Sequence, residues 1–237
     1  MNKRSKKNQH LIIGDGEVGS SLFKILKPRY NVSIRDLKDS VNGAFDVLHI
    51  CYPPIKNFVA VTKNYIKIYQ PKIVLIHGTV PVGTTAKIGD IAVHSPVRGT
   101  HPNLEKGLKT FVKYFSGPKA KEAAKIFANV GVKTKIFSKS EVTELGKILD
   151  TTYYGWNIIF CKEVKKICDS IGLDFNEVYT IQNLDYNDGY NKLGKKNVVR
   201  PVLKPTSGKI GGHCVVPNCD LLSSWLTDAI KKRNSTY

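Results

Sequence analysis

Short apolar runs separated by helical stripes set the pattern of the first half of the chain. Leu11-Ile12-Ile13 leads into a cluster of glycines, and the stretch that follows places Val18, Leu22, Ile25 and Leu26 on one helical face. A strand, a glycine turn and a helix are expected in that order. Val32-Ser33-Ile34-Arg35 alternates as a second strand ending at Asp36. Further strands fit 46–51, 72–77, 91–94, 110–115 and 134–137, and helical patterns fit 56–69 and 119–129. Strands alternating with helices predict an α/β fold built on a mostly parallel, doubly wound Rossmann sheet.

The pattern changes near residue 137. Ser138 and Glu141 have the spacing of a capping box. Beyond them Leu145, Ile148, Leu149, Thr152, Trp156, Ile159, Phe160, Ile167 and Ile171 keep a helical stripe as far as Gly172. That predicts one long helix of about 32 residues, spanning roughly 48 Å. Asp174 and Glu177 repeat the capping spacing before a short helix, and 183–212 reads as a polar, Gly/Pro-rich loop. The expected organisation is a Rossmann domain over 1–137 and a helical domain over 138–237.

Composition narrows the class. With 41% hydrophobic and 24% charged residues the chain is an ordinary globular sequence. No apolar run exceeds four residues, whereas a spanning helix needs about 20, so no membrane span is expected. The basic start is followed only by Leu11-Ile12-Ile13, too short for the apolar region of a secretory signal, so a cytoplasmic location is expected. Thirty-seven Lys and Arg against 19 Asp and Glu give a net charge of +18, a bias toward an anionic small molecule or a nucleic acid. The absence of an RNA-binding aromatic signature or a recognition-helix motif argues against nucleic acid. The five cysteines include no CxxC pair, and His94, His101 and His213 lack metal-ligand spacing, so neither a disulfide framework nor a metal site is expected.

The turn Gly14-x-Gly16-x-x-Gly19 lies between a strand and a helix, the context a dinucleotide fingerprint demands. Gly14 permits the tight turn, Gly16 lets the backbone approach a pyrophosphate, and Gly19 allows close helix packing. The helix N-terminus, with Glu17 and Val18 in its first turn, offers free N–H groups. Asp36, 22 residues after Gly14, would accept hydrogen bonds from ribose hydroxyls. NAD is therefore the expected cofactor, with NADP left open because Arg35 and Lys38 flank that acid. A glycine turn needed only for packing is the alternative.

Five segments taken together, Gly14–Gly19, Asp46-Val-Leu-His-Ile-Cys-Tyr-Pro53, His77-Gly-Thr-Val-Pro-Val-Gly-Thr-Thr85, Glu144-Leu-Gly-Lys-Ile-Leu-Asp-Thr-Thr-Tyr153 and Gly211-Gly-His-Cys-Val-Val-Pro217, resemble the UDP-glucose/GDP-mannose dehydrogenase family. The resemblance implies a nucleotide-sugar substrate and a nucleophilic cysteine at Cys214. A lysine at Lys147 would stabilise oxyanion charge or move a proton. Thr79 would lie close to the nicotinamide ribose, Tyr52 and Pro53 at the cofactor crevice, and Gly212 beside the substrate. It also implies a homodimer built on the long helix, where Gly146 and Gly155 suit close contact. Members of the family continue into a further domain that clamps the nucleotide, so this chain is expected to be a truncated member.

Three positions depart from the family's pattern. Val97 stands where a glutamate is expected, Thr151 where an asparagine is, and Asn218 where an aspartate is. Full four-electron oxidation is therefore doubtful. The segment Ser95-Pro96-Val97-Arg98-Gly99 looks instead like that of β-hydroxyacid dehydrogenases. In that reading Lys147 is the acid/base, Arg98 binds a substrate carboxylate or phosphate through its fork, and one hydride is transferred. A binding protein that kept the dinucleotide fold without turnover is the third alternative.

Overall fold

The computed structural model describes residues 8–36, 39–212 and 214–237. Lys38 and His213 thus lie outside the described residues, as do the basic residues at the N-terminus. The chain divides into two compact units, Met1–Lys147 and Ile148–Tyr237.

In the first unit β1 (Gln9–Ile13), α1 (Glu17–Leu26), β2 (Asn31–Arg35), β3 (Val47–Ile50), α2 (Phe58–Tyr69), β4 (Ile73–Ile76), α3 (Thr84–Ile88), β5 (Ala92–His94), α4 (Leu104–Thr110), β6 (Lys113–Ser116), α5 (Ala120–Ala128) and β7 (Thr134–Phe137) follow one another. Among the described residues they form one seven-stranded sheet of order β2-β1-β3-β4-β5-β6-β7. The pairs from β2 to β5 are parallel, β6 meets β5 antiparallel, and β7 runs parallel to β6. This is the doubly wound α/β sheet the pattern predicted. Every residue of β3 and β4 is buried because both sheet faces are covered. Ile12, Leu75, Val93 and Phe115 pack with Leu22 of α1 and Phe127 of α5, whereas Leu11, Leu48 and Val74 pack with Phe58 and Ile88. Helices α3 and α4, five and seven residues long, were not read from the pattern, since so short a segment barely completes the period that would reveal it.

The long helix α6 (Ser140–Ile171) has 32 residues. The division between units falls inside it, ten residues beyond the expected boundary at 137, because its first turns serve the sheet unit. Thr143 and Glu144 are buried there and hydrogen-bond to His94 and to the loop after β4.

In the second unit a π-helical turn, Asn176–Ile181, runs into α7 (Gln182–Lys192), and α8 (Val215–Cys219) and α9 (Trp225–Asn234) close the chain. The Asp174 cap is present, its Oδ1 accepting from Glu177 N at 3.0 Å. The expected loop over 183–212 is corrected by α7, which buries no residue and so shows no apolar stripe. Local bonds support it, among them Asn183 Nδ2 to Tyr179 O at 2.6 Å and the Lys192–Asp188 pair. Ile159, Ile210, Val215, Cys219 and Ile230 form one core cluster, and the rings of Trp156 and Trp225 stack 5.7 Å apart. No helix among the described residues is long and apolar enough to cross a membrane.

The sheet carries an unusual polar burden. His10, His49, His77 and His94 are all fully buried. His10 Nδ1 lies 3.0 Å from His49 Nε2, His49 Nδ1 lies 3.0 Å from His77 Nε2, and His77 Nδ1 lies 3.1 Å from the carbonyl of Ser95. On β6 the buried Lys113 donates to the same carbonyl at 2.7 Å. Desolvation lowers His10 and His94 to about 4, holds His49 and His77 well below the ordinary histidine value, and brings Lys113 down to about 7.

These shifts fix the sign of a pH dependence. Between about pH 4 and the ordinary histidine value of about 6.5 the unfolded chain binds more protons than the folded one, and the same holds for Lys113 between about 7 and 10.5. Stability is therefore expected to rise with pH through both windows, with the histidine contribution complete above about 6.5 and lost as pH falls toward 4. Urea midpoints measured at pH 5, 7 and 9 should increase in that order, and a flat or falling series would contradict the assignment.

Candidate functional site

Strand order reverses between β1 and β3, with β2 on the far side of β1, so the carboxyl ends of β1 and β3 flank a topological switch point. The glycine turn stands there. Gly14 has φ +105°, and a Cβ on it would come within 3.2 Å of the Cys51 and Tyr52 backbone. A Cβ on Gly19 would lie 1.9 Å from the Gly14 carbonyl oxygen, whereas one on Gly16 would meet nothing within 4 Å. The first and third glycines are thus required by close backbone packing, and the second borders open space. Gly16 is the N-cap of α1 and makes no side-chain cap bond, which leaves the helix start facing that space.

The other residues of the sheet unit fall around this turn with distinct environments. Val18 packs against the core. The Glu17 carboxylate is engaged by its ion pair with His101 and accepts from Leu104 N at 3.3 Å. Asp36 is exposed at the end of β2, its N–H donating to Asp39 Oδ2. Arg35 turns toward α2, donating to the Tyr69 hydroxyl at 2.8 Å with its guanidinium 5.4 Å from the Tyr65 ring. Tyr52 bonds the Thr62 hydroxyl at 2.7 Å, and burial pushes its phenol up to about 12. Pro53 is exposed, and Thr79 is half-buried past β4. Val97 packs on the core, and Arg98 holds its guanidinium 4.4 Å from the Tyr114 ring.

Glu144, which the sequence reading quoted without a role, is the buried acid of this unit. Its Oε1 accepts from Thr85 N at 2.8 Å and Thr85 Oγ1 at 2.6 Å, and its Oε2 accepts from Gly83 N at 2.6 Å. It fastens the loop that follows Thr79 to the turn of α6 that carries Lys147. Lys147 itself is half-buried, and its charge is felt by His94 and Lys113. The signal for Glu144 was its place three residues before that lysine, on the same helical face.

In the second unit Cys214 is exposed at the N-cap of α8, and Gly212 before it has φ +81°. Thr151 and Asn218, proposed separately from sequence, are brought together: Asn218 Nδ2 donates to Thr151 Oγ1 at 3.3 Å, and Thr151 donates in turn to Ile148 O at 2.9 Å. Cys219 is fully buried, and burial raises its thiol above the ordinary range. The expectation that Gly146 and Gly155 both serve contact between chains is corrected. A Cβ on Gly155 would lie 2.7 Å from Val215 Cγ1, so that glycine serves packing within the unit, and Gly146 has nothing within 4 Å.

The glycine geometry generates a contrast. Gly19→Ala should destabilise the chain by more than about 4 kcal/mol, because the methyl meets backbone that cannot give. Gly16→Ala should cost less than about 1 kcal/mol, the difference between two weak caps. Thermal unfolding by circular dichroism reads both, and equal losses would undo the assignment of separate roles.

Comparison with known proteins follows the same lines. A UDP-N-acetyl-D-mannosamine dehydrogenase of Methanococcus vannielii is 30% identical over 155 residues, 62% of this chain and 33% of that protein. One of Methanocaldococcus jannaschii is 28% identical over 154 residues, again 33% of its length. The match thus spans about a third of these relatives. The fold is shared with the UDP-D-ManNAc dehydrogenase of Pyrococcus horikoshii, with a TM-score of 0.76 at 16% identity over 96% of this chain and 68% of that one. It is shared as well with 3-hydroxyisobutyrate dehydrogenase of Mycobacterium tuberculosis, with a TM-score of 0.69 at 12% identity over 97% and 93%. Residues 141–229 match the central domain of the UDP-glucose/GDP-mannose dehydrogenase family, and it is this family that the chain resembles.

Proposed function

We propose that the chain is an NAD(P)-dependent dehydrogenase acting on a CH–OH group of an anionic, nucleotide-linked sugar. The observation that carries this reading is the glycine turn at the switch point, closed at Gly14 and Gly19 and open at Gly16. Gly14, Gly16, Val18 and Gly19 would present backbone to a pyrophosphate, Asp36 would hold the ribose hydroxyls, and Thr79 with Tyr52 and Pro53 would border the nicotinamide. The engagement of Arg35 with Tyr65 and Tyr69 supports NAD over NADP. A bound nicotinamide dinucleotide supplies the hydride acceptor.

The chain's own groups then take these roles. Lys147 stabilises the developing alkoxide and receives its proton. Arg98 would hold an anionic group of the substrate through its fork, and Gly212 would leave space for substrate beside Cys214. Cys214, as a thiolate, would add through Sγ to the aldehyde carbon as a thiohemiacetal, and once that carbon has given up a second hydride and its hydroxyl a proton, would hold it as a thioester until water releases the acid. Thr151 and Asn218 form a neutral pair whose hydroxyl proton is already donated to Ile148 O, so they orient groups rather than act as a base. Val97 offers no carboxylate. Slow thioester hydrolysis and an accumulating acyl-enzyme follow.

A screen of nucleotide sugars and β-hydroxyacids that counts reduced cofactor per product tests the reading. Two equivalents per sugar, appearing as a burst because the thioester hydrolyses slowly, would support the cysteine route, with acid formation lost in Cys214→Ser and kept in Cys219→Ser. Equal activity in Cys214→Ser and wild type would remove the nucleophile. One equivalent, with a β-hydroxyacid as substrate, would favour the second reading, which rests on Val97 packing into the core beside Arg98.

A homodimer through α6 belongs to the same proposal. Tyr153, Phe160, Ile167 and Ile171 are each more than half exposed, at spacings of seven, seven and four residues along one helix. Sedimentation should give a dimer for the wild type and a monomer for Phe160→Lys. A wild-type mass that stays monomeric at all concentrations would reject it.

A further inference from the structure

The column of histidines in the sheet has a polarity that one backbone atom sets. A carbonyl oxygen only accepts, so His77, 3.1 Å from Ser95 O, must carry its proton on Nδ1 and leave Nε2 as an acceptor. His49 Nδ1 faces that Nε2 and must donate, and its own Nε2 must accept from His10 Nδ1. Three neutral rings, on β1, on β3 and just past β4, are thereby held as Nδ1–H tautomers. One lone pair is left over, His10 Nε2, buried without a hydrogen-bond partner among the described residues.

We propose that His10, His49 and His77 form a single proton-accepting unit, entered at His10 Nε2 and ending at the Ser95 carbonyl, through which the sheet unit senses acid. When a proton binds His10 Nε2, the charge rests on His10 beside the Asp46 carboxylate, and its Nδ1–H goes on donating to His49 Nε2. His49 and His77 remain neutral Nδ1–H tautomers, ordered through the column down to Ser95 O. One proton is gained at His10 Nε2 and no N–H bond is broken.

The surroundings decide where the charge is tolerated. At the entry Tyr30 stacks on His10 at 4.5 Å, and the Asp46 carboxylate, paired with Lys72, favours a cation. Tyr30 and Asp46 both line a cavity of about 350 Å³. Along the column Phe127 of α5 faces His49 and His77 with its apolar ring. At the far end His94 disfavours the charge, and Lys113 shares the Ser95 carbonyl at 2.7 Å. Lys113 in turn feels Cys51 and Lys147. An imidazolium at His77 and an ammonium at Lys113 would sit on one oxygen, so the two cations exclude each other.

Long-range 1H–15N NMR of the full chain labelled at histidine tests this directly. At pH 8 all three rings are expected as Nδ1–H, and an Nε2–H tautomer at any of them overturns the proposal. In His49→Phe the tautomer of His10 should be released while His77 keeps Nδ1–H, and an unchanged His10 would show that no order passes through His49. Should that variant fail to fold, an acid titration of the wild type serves instead. The three rings should shift at one common midpoint, that of His10, because each hydrogen-bonds to the next. Three independent midpoints would refute the coupling.

Discussion

The three hydrogen bonds accepted by the Glu144 carboxylate are the fastening on which the arrangement depends. A buried carboxylate is costly unless its lone pairs are met, and here two backbone N–H groups and a hydroxyl meet them. The two N–H groups lie at the start of α3, where a helix leaves donors unsatisfied, so one side chain resolves two deficits together. It is also what commits the first turns of a 32-residue helix to the sheet unit while the remainder belongs to the other unit.

Within that frame, polar groups are admitted to the sheet only where they satisfy each other. His94 bridges the Gly78 carbonyl and the Thr143 hydroxyl, and Ser116 reaches the same hydroxyl. Histidine suits such a place because a neutral imidazole gives one donor and one acceptor in fixed directions. The energetic consequence is a core whose hydrogen bonds are directional and whose integrity is tied to keeping its rings uncharged.

Much of this was legible in the chain, and the limits are physical. The strands and the helices α1, α2, α5 and α6 announce themselves because one face of each meets the core, which imposes a period. Helix α7 escapes for the opposite reason: none of its residues is buried. His49 sits inside an apolar run and His10 at the edge of one, so the burial of His49 could be read, but the pairing of the two rings could not, because adjacency of strands is a property of topology. Lys113 shares its face with Phe115 by simple alternation, a signal left unused. Gly146 and Gly155 look alike in sequence and differ in space, one open and one pressed against Val215. Similarly, Thr151 and Asn218 could be matched to a motif one by one, whereas their mutual hydrogen bond needed the fold.

The stacked indoles carry an optical consequence. The chain has two tryptophans, Trp156 and Trp225, and both lie in the unit Ile148–Tyr237. Emission excited at the red edge of the protein band thus reports on that unit alone, while the sheet unit contributes only tyrosine and phenylalanine chromophores. Rings 5.7 Å apart and 25° from coplanar also couple their electronic transitions, giving a near-ultraviolet dichroism that vanishes when they separate. The molecule is in this sense labelled by its own sequence: two spectral channels separate the melting of its halves, without a dye or a tag.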